Sequence, residues 1–211
     1  MTDSRHVRRG AGLLQGEDGG AAGRTTSPSE GQTSAGCPNP RERAMVRPAR
    51  LDDAARLLRL MRAVDEETPY MIYGRGERGM SRDDIRHVIL EAGLQRGVAL
   101  LAAQAGPDLV GYILAMGGGL ARTRHCVRVS ALGVLRAWWR RGVGRALLTS
   151  VEQWARDMGG GRLELETMAA NDAARCLYES LGFEIEGRRR RAFLVGGAWM
   201  DALVLGKLLE D

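Results

Sequence analysis

The residues that carry the most chemistry lie in the run Val134-Leu135-Arg136-Ala137-Trp138-Trp139-Arg140-Arg141-Gly142-Val143-Gly144-Arg145-Ala146-Leu147-Leu148. Glycines at 142 and 144 let backbone N–H groups approach a ligand with no Cβ in the way. Leu147, Leu148, Val151, Trp154 and Ala155 then form an apolar stripe at helical spacing, so the loop opens directly into a helix. Free N–H groups and the positive end of the helix dipole favour an anion there, a pyrophosphate above all. Arg136, Arg140, Arg141 and Arg145 add positive charge around it. Taken alone, a glycine-x-glycine turn before a helix supports only this much, and a packing turn with solvated arginines reads equally well.

A second chemically dense segment begins 27 residues after Gly144: Asn171-Asp172-Ala173-Ala174-Arg175-Cys176-Leu177-Tyr178-Glu179-Ser180-Leu181-Gly182-Phe183. Asn171 or Asp172 can cap a short helix carrying Ala174, Leu177, Tyr178 and Leu181, with Gly182 as its stop. On that helix Tyr178 is either a packing residue or a phenol available for proton transfer.

These segments need elements to hold them. Met45 to Pro48 reads as a short strand. Asp52 or Asp53 can cap a helix through Ala54, Leu57, Leu58, Met61 and Val64, which Pro69 and Gly74-Arg75-Gly76 end. Ser81 with Asp84 resembles a capping box and opens a second helix along Ile85, Val88, Ile89 and Ala92. Strands are expected at Val98–Ala103, Leu109–Met116 and Val127–Val134, then a helix from about Gly144 to Met158. Leu163, Leu165 and Thr167 alternate with Glu164, Glu166 and Met168 as a strand does, and Phe183–Gly187 with Trp199–Leu205 reads as a closing strand pair. Tight turns between neighbouring strands imply antiparallel pairing, and the later strand-helix-strand passage implies a parallel crossover. The expected fold is therefore α+β (mixed α/β). Two nucleotide-site patterns fail in this setting. A P-loop needs Gly-Lys-Ser/Thr where Gly144-Arg145-Ala146 stands, and a Rossmann turn follows the first strand, not the fourth.

With the order of elements between them, the two segments resemble the GNAT superfamily of acyl-CoA-dependent N-acetyltransferases over roughly Val46 to Leu208. The shared features are a (Gln/Arg)-x-x-Gly-x-(Gly/Ala) loop and an Asn-x-x-Ala-x-x-x-Tyr-x-x-x-Gly-Phe segment. Trp139 stands at the Gln/Arg position, and Arg140 where a glycine often follows. The resemblance implies a GNAT-like fold, a mostly antiparallel mixed sheet of six to seven strands flanked by about four helices. It implies acetyl-CoA as co-substrate, with its pyrophosphate held by the backbone of Arg141, Gly142, Val143, Gly144, Arg145 and Ala146. Arg140 or Arg141 would supply the guanidinium missing at position 139, and Asn171 is implied at the cofactor as well as at the helix cap. It also implies a kinked fourth strand offering backbone groups at Leu132 to Val134, with Leu132 and Val134 at the thioester and pantetheine arm, and Tyr178 as general acid. The base stays open among His125, Glu164, Glu166 and a water chain, because His125-Cys126-Val127-Arg128-Val129-Ser130-Ala131 holds no carboxylate. Glu66 and Glu67 fall where the family recognises acceptors. The acceptor is a primary amine of a small molecule or a protein, and a homodimer is left open.

Composition bounds the alternatives. The 211 residues carry a net charge of +5, and Lys207 is the only lysine among 31 basic residues, an arginine bias that reads as coding bias. The run Arg188-Arg189-Arg190-Arg191 raises nucleic-acid binding, but no recognition motif with interleaved aromatics accompanies it, and a solvated strand end or loop ranks ahead. A non-catalytic acyl-CoA sensor on the same fold is the other competing reading. Cys37, Cys126 and Cys176 are too scattered for a zinc site or a disulfide framework, and Cys176 reads as a packing residue, so no metal is expected. No apolar run spans a bilayer and no signal-peptide core is present, which points to a cytoplasmic protein without a membrane partner. Residues 1–44 lack apolar periodicity and read as a disordered tail, or an over-long gene start, ahead of a domain over 45–211.

Overall fold

The computed structural model describes residues 43–94 and 97–209. The tail expected over 1–44 lies, apart from its last two residues, outside the described residues, as does Cys37. Seven strands form one sheet: β1 (Met45–Pro48), β2 (Val98–Ala105), β3 (Asp108–Gly117), β4 (Cys126–Val134), β5 (Arg162–Met168), β6 (Glu184–Val195) and β7 (Ala198–Leu208). Their order across the sheet is β1-β2-β3-β4-β5-β7-β6. Every neighbouring pair is antiparallel except β4 with β5, the parallel crossover that the strand-helix-strand passage predicts. Four helices flank it: α1 (Ala54–Glu67), α2 (Arg82–Gly93), α3 (Val143–Asp157) and α4 (Asp172–Glu179). This is the α+β fold expected from the residues, with the seven strands and four helices that the resemblance implies.

Two cores sit on opposite faces of the sheet. On one, α1 and α2 bury Leu57, Met61, Val64, Ile85 and Ile89 against Leu100, Ala102 and Tyr112. On the other, Val143, Leu147, Leu148, Val151 and Ala155 of α3 pack with Ile113, Val127, Val129, Leu163 and Leu165. The residues of β2 alternate between these cores, as the period of two requires. The Ser81–Asp84 capping box forms in full, Asp84 N–H donating to Ser81 Oγ at 3.2 Å and Ser81 N–H to Asp84 Oδ2 at 2.7 Å.

Three expectations need correction. Neither Asp52 nor Asp53 caps α1 with its side chain. Asp53 instead turns inward, fully buried, and accepts from Arg47 Nη1 at 2.6 Å and from the Arg50 N–H at 2.8 Å, with Arg56 as a third partner. Burial needs paired charge, so two guanidiniums outweighed the cap. The arginine run lies inside β6, because the closing strand pair is longer than its apolar residues suggested. There Arg188 donates to Asp201 Oδ2 and the Arg191 N–H to Asp201 Oδ1, both at 2.8 Å, while Arg189 pairs with Glu166. The ladder skips between Arg189 and Phe193, so the run bulges around the Asp201 carboxylate on an edge strand. Cys176, finally, is exposed on α4 and lies outside the buried core.

Candidate active site

β4 and β5 run side by side only as far as Val129 and Leu165. Beyond that point β4 continues against β3 to Val134 and β5 against β7 to Met168, and the two strands part. The cause lies in β4. Ala131 faces Leu114 while Val129 faces Ala115, so Ser130 is an extra residue, and a bulge of this kind bends its strand and increases its twist. The irregularity thus sits just before the expected Leu132–Val134 stretch, which pairs regularly with Ile113, Tyr112 and Gly111.

Register decides which backbone groups face the fork. The Leu135 N–H donates to Val110 O at 3.0 Å, and hydrogen-bonded positions alternate along an antiparallel ladder. Gly133 and Ala131 therefore also turn their peptide groups toward β3, while Leu132 and Val134 turn theirs into the opening. Trp139 Nε1 donates to Val134 O at 2.7 Å from that side. The residue that departs from the family's Gln/Arg pattern closes one end of the open strand edge.

After a short turn at Arg136–Trp138 the chain enters α3 through two left-handed residues, Arg140 at φ 58° and Gly142 at φ 80°. Gly142 is the N-cap and offers no side chain, and the first helical bond is from the Ala146 N–H to Gly142 O at 2.9 Å. The N–H groups of Val143, Gly144 and Arg145 precede it and have no acceptor within the helix. A cradle of amides therefore opens at the end of the fork. The arginine side chains around it are already engaged. Arg141 stacks over Trp138 at 5.1 Å, Arg136 over Trp139 at 5.9 Å, and Arg145 donates to Ser180 Oγ at 2.7 Å. Arg140 is exposed.

Gly144 brings α3 onto α4, since a Cβ built there would lie 3.0 Å from Leu177 Cδ2. Asn171 caps α4, its Oδ1 accepting from the Ala174 N–H at 3.2 Å. Tyr178, the one buried residue of α4, packs against Phe183 with ring centroids 5.9 Å apart. Burial pushes its hydroxyl up to about 12, so the phenol keeps its proton throughout the neutral range.

The three side chains considered as base separate clearly. His125 precedes β4 at the end away from the fork, roughly 30 Å of extended chain from Val134. Glu164 lies within the paired part of β4 and β5 and accepts from Arg128 at 2.8 and 2.9 Å. Glu166 alone lies beyond the last pair, on the sheet face opposite Leu165, where Arg189 donates to it at 2.6 Å. Met168, two residues further on the same face, lines a cleft of about 640 Å³ between the end of α1, the loop after it and the β6–β7 hairpin. Glu66 and Glu67 form part of its wall. The Glu67 carboxylate also reaches across to the loop after β4, its Oε2 accepting from the Arg136 N–H at 2.6 Å. Sequence reading had no means to find this bond, which joins residues 69 positions apart. Among the described residues no group of His, Cys, Asp and Glu could hold a metal ion.

Residues 60–183 match the family model described as the Acetyltransferase (GNAT) family. The chain is 39% identical over 102 residues to the N-alpha-acetyltransferase RimI of Mycobacterium tuberculosis, a match covering 46% of this chain and 60% of that protein. The fold superposes on an acetyltransferase of the GNAT family from Streptococcus pneumoniae with a TM-score of 0.75, 24% identity, and coverage of 79% of this chain and 99% of that one. It also superposes on a Salmonella typhimurium protein solved with its cofactor acetyl-CoA, with a TM-score of 0.71, 21% identity, and coverage of 80% and 95%. At these identities the structural likeness is one of fold. The chain belongs to the GNAT acetyltransferase family.

Proposed function

We propose that this protein transfers the acetyl group of acetyl-CoA to a primary amine by direct attack on the thioester, with the α-amine of a polypeptide as the acceptor to test first. The observation that carries this reading is the fork between β4 and β5, which ends at an uncapped helix N-terminus and has the buried Tyr178 close by on the adjoining helix. The likeness to an N-alpha-acetyltransferase supports the choice of acceptor.

The residues fit the co-substrate in kind. The amides from Arg141 to Ala146 suit a pyrophosphate because they need no particular side chain, which is why the Trp139 and Arg140 departures do not remove the cradle. The Leu132 and Val134 peptide groups, unpaired by any strand, are where a pantetheine arm would complete the ladder and where an N–H would polarise the thioester oxygen. The acetyl donor supplies the activated carbonyl, and the protein supplies orientation and proton traffic.

In this scheme the acceptor nitrogen bonds to the acetyl carbon, the carbon–sulfur bond breaks, and two protons must move. Tyr178 gives its proton to the departing sulfur. Glu166, the carboxylate beyond the fork on the cleft side, receives the proton lost by the amine, directly or through water. The Arg145 side chain holds Ser180 and contributes to the cradle through its backbone.

Thiol release from acetyl-CoA in the presence of small amines, polyamines and hexapeptides with free α-amines tests this reading. Release with at least one amine supports it. Tight binding of acetyl-CoA with no release from any of them would favour the non-catalytic sensor.

A further inference from the structure

We propose that the cavity at the end of β4 away from the fork is a second ligand site, for a small molecule that joins a flat ring to a carboxylate or a phosphate. The site lies apart from the residues of the acetyl-transfer scheme and does not depend on that scheme.

The cavity measures about 740 Å³, within the range of small-molecule sites, and lies where β3 ends, β4 begins and α3 stops. Val127, Met158 and the half-buried Trp154 supply its apolar lining. Gly117, Gly118 and Gly119 after β3, with Gly159 and Gly160 after α3, line it with bare backbone. Backbone without side chains admits a flat ring close to it, and the Met158 thioether favours an aromatic neighbour.

Charge selects the other half of the ligand. Arg124 and His125 are the ionisable side chains at this cavity, and its lining holds no Asp or Glu. The cleft beside the fork is the reverse, with Asp65, Glu66, Glu67 and Glu77 in its wall. The Arg124 and His125 side chains have no hydrogen-bond or ion-pair partner among the described residues, and neither has the Trp154 indole N–H. Three groups able to donate therefore remain for a ligand. Free basic side chains on a loose loop would mean only solvation. This loop is tied: the Gly118 N–H donates to Cys126 O, the Cys126 N–H to Thr123 O and the Gly161 N–H to His125 O, each at 2.9 Å. Donors held in advance lose less entropy when an anion arrives.

The test titrates AMP and indole-3-acetate into the full-length protein in saturating CoA, so that the cofactor cradle is filled. The readout is the proton–nitrogen cross-peaks of the four tryptophan indoles. The peak missing in Trp154→Phe identifies Trp154. That peak should move saturably with at least one of the two anions, and the one that moves it names phosphate or carboxylate as the group taken. Adenosine and indole, which lack the anion, should bind at least about tenfold more weakly. Arg124→Ala should weaken the anion by about tenfold. Gly119→Asp sets a carboxylate beside the cavity, where an added β-carbon meets nothing within 4 Å, and should weaken the anion too. Both variants should keep the acetyl-CoA Kd within about twofold of wild type, as expected of distant sites. A larger loss would merge this cavity with the cofactor site and overturn the proposal. A Trp154 peak that stays fixed with both anions up to about 10 mM overturns it. So does equal binding of the neutral rings, or undiminished binding of the anions by both Arg124→Ala and Gly119→Asp.

Discussion

The ring of Tyr112 lies directly against Gly133: a β-carbon built on that glycine would sit 2.4 Å from Tyr112 Cε1 and 3.1 Å from Val64 Cγ1. The two residues face each other across the β3–β4 ladder, and Gly133 separates the two residues whose peptide groups open into the fork. The position of the open edge of β4 is thus set from behind, by a fully buried aromatic side chain on α1's side of the sheet.

Gly133→Ala should therefore act as an overpacking mutation with a functional consequence. It is expected to destabilise the fold by about 1–3 kcal/mol and to lower turnover, because the displaced strand misplaces the Leu132 and Val134 peptide groups. Urea unfolding and acetyl-CoA assays measure the two effects. A smaller penalty for the same substitution in a Tyr112→Leu background would identify the ring as the source.

Arg140 pays a conformational penalty where the family often has glycine, since its φ of 58° crowds any β-carbon. Arg140→Gly should stabilise the protein by up to about 1 kcal/mol, because relief of roughly 1–2 kcal/mol of left-handed strain is partly offset by glycine's larger unfolded-state entropy. Measured with the acetyl-CoA Kd, this variant also reports whether the exposed guanidinium serves the cofactor. Unchanged affinity assigns the cradle to the backbone.

Gly142→Asp places a carboxylate on the uncapped N-terminus of α3 and imposes a φ of 80° on a residue with a β-carbon. Acetyl-CoA binding should fall at least tenfold by calorimetry, whereas Gly142→Ala should lose stability and keep most of its affinity.

Tyr178→Phe should leave acetyl-CoA affinity within about twofold and slow kcat by roughly a hundredfold, in the range of a lost general acid. With the hydroxyl raised to about 12 by burial, the wild-type kcat profile should show no descending limb from this group below about pH 11. A kcat for Tyr178→Phe equal to wild type would remove it from the acid role.

Asp53 supplies an acid-sensitive contact. Arg47 beside it, with the Arg50 N–H and Arg56, lowers its carboxyl from 3.8 to about 2. A carboxylate with a depressed folded-state pKa stabilises above its unfolded value and loses that contribution as pH falls through the folded one. About 2 kcal/mol should therefore disappear between roughly pH 4 and pH 2. Asp53→Asn should flatten that part of the stability curve in denaturant titrations.

The elements were largely legible because apolar periodicity and turn residues agree with the tertiary structure. The Ser81–Asp84 box and the alternation in β5 both act locally. What local pattern could not show are the long-range bonds. The extra residue at Ser130 is visible only from the register of β3, and no property of Glu67 announces the Arg136 amide. The arginine run in β6 is solvated as its charge implied, and only its place inside a strand escaped the sequence. Its partners Asp201 and Glu166 lie on other strands, so no local pattern announced the carboxylates that hold Arg188 and Arg189 there.

The contact between Gly144 and Leu177 has a consequence for dissecting this protein. The first turn of α3 touches α4 one residue before Tyr178, with no β-carbon to spare. Enlarging Gly144 would press on the helix that carries Tyr178, so a variant made to weaken the proposed amide cradle would also disturb the residue proposed as proton donor. Under the proposed roles, affinity and turnover would be coupled at this one van der Waals contact. Clean separation of the two requires substitutions on the far side of the loop, at Arg140 or Gly142.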